Sequence, residues 1–583
     1  MAVKSLGVGD SALIFQRSPR AATAHFNHST FSARGDCLLP SAYCLLSFPM
    51  PDIKIFVADD VSESGLGPLR EAGFAVEKRT GLKGEELAEA VSAADGLVVR
   101  SETRVTAELL ESAARLRAVG RAGVGVDNID VAAATQRGVV VMNAPDGNTM
   151  TTAEHTLALL LALARRVPEG QASLKAGRWE RKRFVGVELR GKTLGIVGLG
   201  RIGRVVASRA LGFEMKVVAF DPFVAPERLR DEGIELATLD EVCARADFVT
   251  VHAPLTPETR GIIGARELSR MKRGVRVINC ARGGLIDERA LHDAIKEGRV
   301  AGAALDVFED EPPPASHPLL GLEEVVATPH LGASTREAQE GVAVIVAEQM
   351  RDFFLTGAVR GAVNVPAVGA QELKALGPYL DLAERLGRFQ AQLVDEPVRS
   401  VELEFAGEAA AFDTAPVTRS FLAGLLRNMS ARVNVVNALF IAEERGIGVT
   451  VSHKHAAAGA EAREPLRTRV TTISGEHTVA GALFGRQADG RVTEIDGFRI
   501  EVVPAGYMLL MRSSDVPGVV GRVGTILGDH GVNISRFHLG GRRERGGEAM
   551  SVIETDAPPD DSTLEELRAF EPVISARRIS LEG

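Results

Sequence analysis

The chain lacks what a membrane protein, a nucleic-acid binder or a zinc module would need. Apolar runs such as Leu157–Ala164 fall well short of the about 20 residues that span a bilayer. Basic charge is in deficit, with 68 Lys+Arg against 77 Asp+Glu and a net charge of −9. That balance leaves no basic face for nucleic acid or an anionic membrane, so neither is expected as a partner. Cysteines number only four, Cys37, Cys44, Cys243 and Cys280, and none are in CxxC spacing. A structural zinc site and a disulfide frame are therefore not indicated, no metal is expected, and the usage fits a reducing compartment.

What is present is ordinary globular sequence: 583 residues, 45% hydrophobic and 25% charged. That length is too great for one core and implies three to four domains. The first fifty residues differ, with several Ser, four Lys/Arg and only Asp10 and Asp36 as acids. Their composition resembles an organelle transit peptide. The alternatives are a disordered tail, or sequence upstream of a start at Met50. None of these gives the segment chemistry.

From Ile53 strands alternate with helices: "IKIFVADD", a helix near Glu85–Ala93, "GLVVR", and another near Ala107–Ser112. Such alternation predicts a parallel sheet covered on both faces. A long helical stretch, Thr152–Arg165, leads into the basic segment "GRWERKRF", which holds Arg181, Lys182 and Arg183. A second α/β unit follows through "VVAFD", "FVTVHAP", "VRVINCARGG" and "AGAALDVF". After "AVNVPAVG" the pattern becomes mixed α and β, including "EHTVAGALFG", which reads as structural while leaving an anion-binding role open. From Gly506 the order is β-α-β-β-α-β, with a hairpin expected at "GRRERGG", a ferredoxin-like unit.

The second α/β unit opens on "TLGIVGLGRIG", in which Gly198, Gly200 and Gly203 form GxGxxG. Alone the motif is weak, but here it follows an apolar strand and opens a helix. Gly198 permits the tight turn, Gly200 lets the backbone near a pyrophosphate, and Gly203 lets the helix sit on the sheet. Asp221 ends the next strand about 20 residues on, where a carboxylate accepts from ribose hydroxyls and repels a 2′-phosphate, so NAD is preferred to NADP.

Arg282 in "NCARGG", Glu311 in "DVFEDEP" and His330 in "PHLGAS" then follow at the ends of later strands. Loops at that edge of a doubly wound sheet can converge on the cofactor. Oxidation of a 2-hydroxy acid needs a base for the hydroxyl proton, and imidazole suits it. Glu311 can orient His330 and stabilise its protonated form, and Arg282 offers a planar fork to a carboxylate. Each has an ordinary alternative singly, and His155 and His252 are left out as packed or solvated histidines. It is the ordered trio that points to chemistry.

These stretches, with "VRSETRVT", "GRAGVGVDNID" and "WERKRFVGVEL", resemble the D-isomer-specific 2-hydroxyacid dehydrogenases. Beyond residue 50 the whole chain is similar to that family's long form, which acts on 3-phosphoglycerate. The fold so implied is α/β: two Rossmann-like domains with the substrate domain split in sequence, an α+β intervening domain and a ferredoxin-like ACT domain. The boundaries are 1–50 (leader), 51–149 and 330–365 (substrate domain), 150–329 (NAD-binding), 366–505 (intervening) and 506–583 (ACT). The resemblance implies Arg282, Glu311 and His330 as active-site residues. Val124, Arg201, Ile202, Asp221, Ala253, Cys280, Ala281, Asp306 and Gly332 are the implied NAD contacts beside the three glycines. Arg100, Ser101, Arg121 and Asn148 are the implied substrate contacts. The implied reaction is NAD-dependent oxidation of 3-phospho-D-glycerate, the entry step of L-serine synthesis, in a cytoplasmic homodimer or homotetramer. A transit peptide would instead place it in a plastid or mitochondrion. Asp515 in "DVPG" and Asn533 in "GVNI" are candidates for an L-serine effector, against a purely oligomerising ACT unit. Three other functions stay open: a dehydrogenase for an unphosphorylated acid (hydroxypyruvate or glyoxylate), a nucleotide-sensing binding protein, and a serine sensor.

Overall fold

In the first parallel sheet, strands such as Gly96–Val99 (GLVV) are buried along their whole length, because helices cover both faces of the sheet. It comprises β1 (Lys54–Val57), β2 (Ala75–Lys78), β3 (Gly96–Val99), β4 (Ala118–Arg121) and β5 (Val140–Asn143), in the order β2-β1-β3-β4-β5. The computed structural model describes residues 53–225, 229, 232–429, 432–454, 466–485, 488–541 and 547–582. The leader and the middle of the expected "GRRERGG" turn lie outside the described residues.

Helix α1 (Thr149–Arg165) leads to a second parallel sheet. Its strands are β6 (Thr193–Val197), β7 (Lys216–Phe220), β8 (Ile234–Leu236), β9 (Phe248–Val251), β10 (Val275–Asn279), β11 (Val300–Leu305) and β12 (Val325–Ala327). They lie in the order β12-β11-β10-β9-β6-β7-β8. The order reverses between β6 and β9, and a reversal opens a crevice at the carboxyl ends of the strands. Those ends carry Gly198, His252, Cys280 and Asp306. Helix α2 (Arg201–Gly212) follows the glycine turn. Helix α3 (Arg336–Thr356) returns to the first sheet, where it packs on β4 and β5. It comes so close that a Cβ on Gly96 would stand 2.6 Å from Met350 Cε.

Helix α4 (Ala370–Ala391) opens the third unit and crosses the helix Ala415–Leu426. The crossing runs over Gly387 and Gly424, where any Cβ would strike the other helix's backbone. Six strands lie beside them: β13 (Ser400–Ala406), β14 (Gly448–Lys454), β15 (Leu466–Thr471), β16 (Glu476–Phe484), β17 (Asp489–Ile495) and β18 (Phe498–Val502). The last unit is a four-stranded sheet of β19 (Tyr507–Ser514), β20 (Ile534–Gly541), β21 (Glu548–Thr555) and β22 (Val573–Ser580), in the order β20-β21-β19-β22. Helix α5 (Val519–Asp529) packs on it. One apolar core runs from Met142 in the first sheet through Leu386 of α4 to Met508 of β19.

Candidate active site

The carboxyl ends of the two parallel sheets supply the site. His330 Nδ1 lies 2.7 Å from Glu311 Oε2, and Glu311 Oε1 accepts from Phe308 N at 3.1 Å. A carboxylate on Nδ1 fixes the proton there, so the neutral ring presents the Nε2 lone pair. Burial would raise the Glu311 pKa, but the hydrogen bond and charge of His330, Phe308 N and the nearby Arg282 outweigh it and leave it lowered. Glu311 is therefore ionised wherever a dehydrogenase works.

A cavity of about 430 Å³ brings the trio together with Arg100, Ser101, Arg121 and Asn148. Arg100 and Ser101 follow β3, Arg121 ends β4, and Asn148 precedes α1. Arg100 spends one guanidinium nitrogen on Asp60 O, at 3.0 Å. Among the described residues, neither Arg121 Nε nor Asn148 Oδ1 has a hydrogen-bond partner. Burial first, and then repulsion from Arg282, push the Arg121 pKa down to about 10. It stays a cation at neutral pH, and a buried cation short of compensation gains from an incoming anion. Within this chain the basic cluster is not on the cavity: Arg183 is engaged by Glu323 at 2.7 Å, and Arg181 and Lys182 do not line it.

A second cavity of about 500 Å³ adjoins the first and shares Val124, Gly125, Asn148, Arg282, His330 and Ala333 with it. Arg201, Ile202, Ala253, Cys280, Ala281 and Gly332 complete one wall. The glycine turn at its mouth suits a dinucleotide. Gly198 has φ 94°, and its Cβ would stand 2.7 Å from His252 O. Gly200 caps α2 with no side chain on the helix N–H groups and with open space beside it, leaving those donors for phosphate. Asp221 accepts from Leu199 N at 2.8 Å and Phe223 N at 2.9 Å. It thus holds the turn. Arg201 meets Asp146 at 2.6 Å, both side chains well exposed, so the pair is weak and the guanidinium is free to exchange partners.

Asp306 lines the first cavity and is also tied into the fold. Its side chain is fully buried, and its oxygens accept from Thr328 Oγ1, Leu331 N, Gly332 N and His155. Three of these donors fall on Oδ1 and one on Oδ2, so Oδ2 keeps room for a further donor. One expectation needs correction: Asp515 and Asn533 are not brought together within one chain. Asp515 follows β19 beside Gly547, whereas Asn533 precedes β20 beside Asp556. The register pairs Ser514 with Glu548 and Tyr507 with Thr555, so the two lie at opposite ends of the sheet. That separation is roughly 20–25 Å for strands of this length.

Family models match three stretches: the D-isomer specific 2-hydroxyacid dehydrogenase NAD binding domain at 157–332, the D-3-phosphoglycerate dehydrogenase intervening domain at 375–496, and the ACT domain at 507–572. A D-3-phosphoglycerate dehydrogenase of Archaeoglobus fulgidus is 43% identical over 531 residues, 91% of this chain and 100% of that one. That of Bacillus subtilis is also 43% identical, over 91% of this chain and 99% of its own. The chain belongs to the D-3-phosphoglycerate dehydrogenases. The crystal structure of a glyoxylate reductase from Paecilomyes thermophila is 30% identical, with a TM-score of 0.50 over 54% of this chain and 99% of its own.

For a member of this family, two neighbours of Arg282 are absent from the sequence reading, and one histidine set aside there has a partner at the site. Asp127 Oδ2 takes Arg282 Nε at 3.0 Å across the cleft. Gly125 makes room for that pair, since its Cβ would stand 2.6 Å from Asp127 Oδ2. Both residues fall inside the quoted "GRAGVGVDNID", yet nothing local marks Asp127 as a partner for a residue 155 positions away. His155, set aside as a packed or solvated histidine, lies 3.2 Å from Asp306 Oδ1. His252, by contrast, lines the cofactor cavity with its pKa pushed down to about 4 by burial, so its ring stays neutral at physiological pH. Among the described residues no group of acids, histidines and cysteines could hold a metal, and no helix is long and apolar enough to cross a membrane.

Proposed function

We propose that the chain oxidises 3-phospho-D-glycerate to 3-phosphohydroxypyruvate, the entry step of L-serine synthesis. NAD, when bound, accepts the hydride that leaves C2. His330 Nε2 takes the hydroxyl proton as the hydride departs, while Glu311 compensates the positive charge that forms on the ring. Arg282 holds the substrate carboxylate through its outer nitrogens, its Nε being occupied by Asp127. Arg100, Ser101, Arg121 and Asn148 hold the phosphate, and Val124, Arg201, Ile202, Ala253, Cys280, Ala281 and Gly332 line the cofactor crevice. One observation carries this reading: a histidine–carboxylate pair and an arginine stand where a cofactor-sized cavity meets a second, arginine-lined one.

The same reading assigns 51–149 and 330–365 to the substrate domain, 150–329 to the cofactor domain, 366–505 to the intervening domain and 506–583 to the ACT domain. L-serine is the effector it suggests. A serine site using both Asp515 and Asn533 would need two copies of the chain, which fits the proposed homodimer or homotetramer. The cytoplasm is the proposed location, with an organelle as the alternative if residues 1–50 are a transit peptide.

The test is an NADH-linked assay of 3-phosphoglycerate against unphosphorylated 2-hydroxy acids, with and without serine, on the wild type and Arg100→Ala. The substitution should raise KM for the phosphorylated acid about tenfold or more, the worth of a charged hydrogen bond, and leave the others nearly unchanged. Equal effects on both, or a wild type that prefers an unphosphorylated acid, would overturn the substrate assignment.

A further inference from the structure

We propose that His155 is a positioning residue for the acid–base group: from helix α1 it orients the Asp306 carboxylate, which holds the backbone of His330 in a left-handed conformation. The proposal rests on reading His330 as the acid–base residue.

His330 has φ 53°, a conformation that a side-chain-bearing residue keeps only when its surroundings impose it. The imposing groups all belong to Asp306 and its neighbours. His330 N donates to Asp306 O at 2.8 Å and to Thr328 O at 3.0 Å. The next two amides fall on the carboxylate itself: Leu331 N on Oδ1 and Gly332 N on Oδ2, each at 2.7 Å. A single carboxylate thus clamps the turn that carries the imidazole.

That carboxylate is in turn fixed from the opposite side. Thr328 Oγ1 donates to Oδ1 at 2.6 Å, and His155 Nε2 lies 3.2 Å from both Oδ1 and Thr328 Oγ1. Because the threonine proton is committed to Asp306, both neighbours of Nε2 are acceptors there, so Nε2 must carry hydrogen. Helix α1 touches the turn a second time where Thr152 Oγ1 donates to Gly332 O at 2.9 Å. Burial alone would raise the Asp306 pKa, yet donors led by His155 and Thr328 keep it lowered. The clamp is therefore an anion whose orientation depends on what donates to it.

Without the His155 donor the carboxylate can turn, and the imidazole is free to leave its aim. A misplacement of that kind costs about 10–100-fold in turnover without weakening cofactor binding. The experiment uses the full-length chain with His155→Leu, which removes the donor, and His155→Gln, which keeps an N–H at a similar reach. Thr328→Val removes the other side-chain donor to the same oxygen and decides the matter if the leucine variant fails to fold. His155→Leu should lose about 10–100-fold in kcat while NADH affinity, read by fluorescence, stays within about twofold. His155→Gln should recover most of the loss. The inference is overturned by a leucine variant at wild-type kcat, by NADH affinity falling in step with kcat, or by a glutamine variant as poor as leucine. A wild type inactive on every acid tested would count against the proposed function instead. The positioning role is then decided by the His330 ring signals in NMR, which should move in His155→Leu and not in His155→Gln; unmoved signals would refute it.

Discussion

Glu311→Gln isolates charge from geometry at the centre of the site. The amide oxygen can still accept from His330 Nδ1 at the 2.7 Å that the carboxylate now holds, so the ring keeps its tautomer and only the negative charge is lost. A hydrogen bond to a charged group contributes about 1.5–3 kcal/mol, against about 1 for a neutral one. The side chains of His330 and Glu311 are 46% and 37% exposed, so solvent screens the difference, and about 1 kcal/mol is a fair expectation. With 1.36 kcal/mol per factor of ten, kcat should fall about fivefold. The pH profile gives a second reading. The carboxyl pKa of Glu311 is held down chiefly by the His330 hydrogen bond and charge, against burial, which raises it. A group with a depressed folded pKa contributes at every pH above its unfolded value and loses that contribution only as pH falls through the folded one. Glu311 therefore makes no limb of its own near neutrality, and the fall in kcat on removing its charge should be read well above the carboxylate range. Steady-state rates from pH 5 to 10, at low and high salt, test this. A glutamine variant with kcat undiminished across that range would refute the pairing as a catalytic device.

Three further outcomes are expected. His330→Ala should cost about 10²–10⁴-fold in kcat, the usual range for general acid–base catalysis, with cofactor affinity retained; near-normal turnover would exclude it as the base. Gly203→Ala would drive a Cβ into the Gly198 carbonyl oxygen, a backbone atom with nowhere to go. Overpacking of that kind costs about 1–3 kcal/mol, so NADH titration should show affinity down about tenfold, and unchanged affinity would sink the packing argument. Asp221→Ala removes the anchor of Leu199 N and, on the proposed function, a ribose acceptor. KM for NAD should rise about tenfold while that for NADP changes less, and an unaltered NAD-to-NADP ratio would mean that Asp221 does not read the ribose.

Much of this molecule was legible in one dimension. Continuous apolar runs such as "GLVV" announce a parallel strand because burial on both faces needs no alternation. "GLGRIG" behind a strand announces a dinucleotide turn because only glycine tolerates φ 94° at the first position and backbone contact at the third. His330, Glu311 and Arg282 could be named because each lies in the loop that follows a strand, in a fold whose ligands gather at strand ends. What folding alone decided is which groups face one another. Asp306 turns inward to clamp the His330 turn, and Asp127 crosses the cleft to Arg282. Arg183 is drawn off by Glu323, and the two effector candidates stand at opposite ends of one sheet. Periodicity and backbone conformation are local properties, so the sequence carries them openly. A hydrogen bond between side chains scores or more residues apart exists only once the sheets have stacked and the chain has crossed back, and no local pattern encodes it.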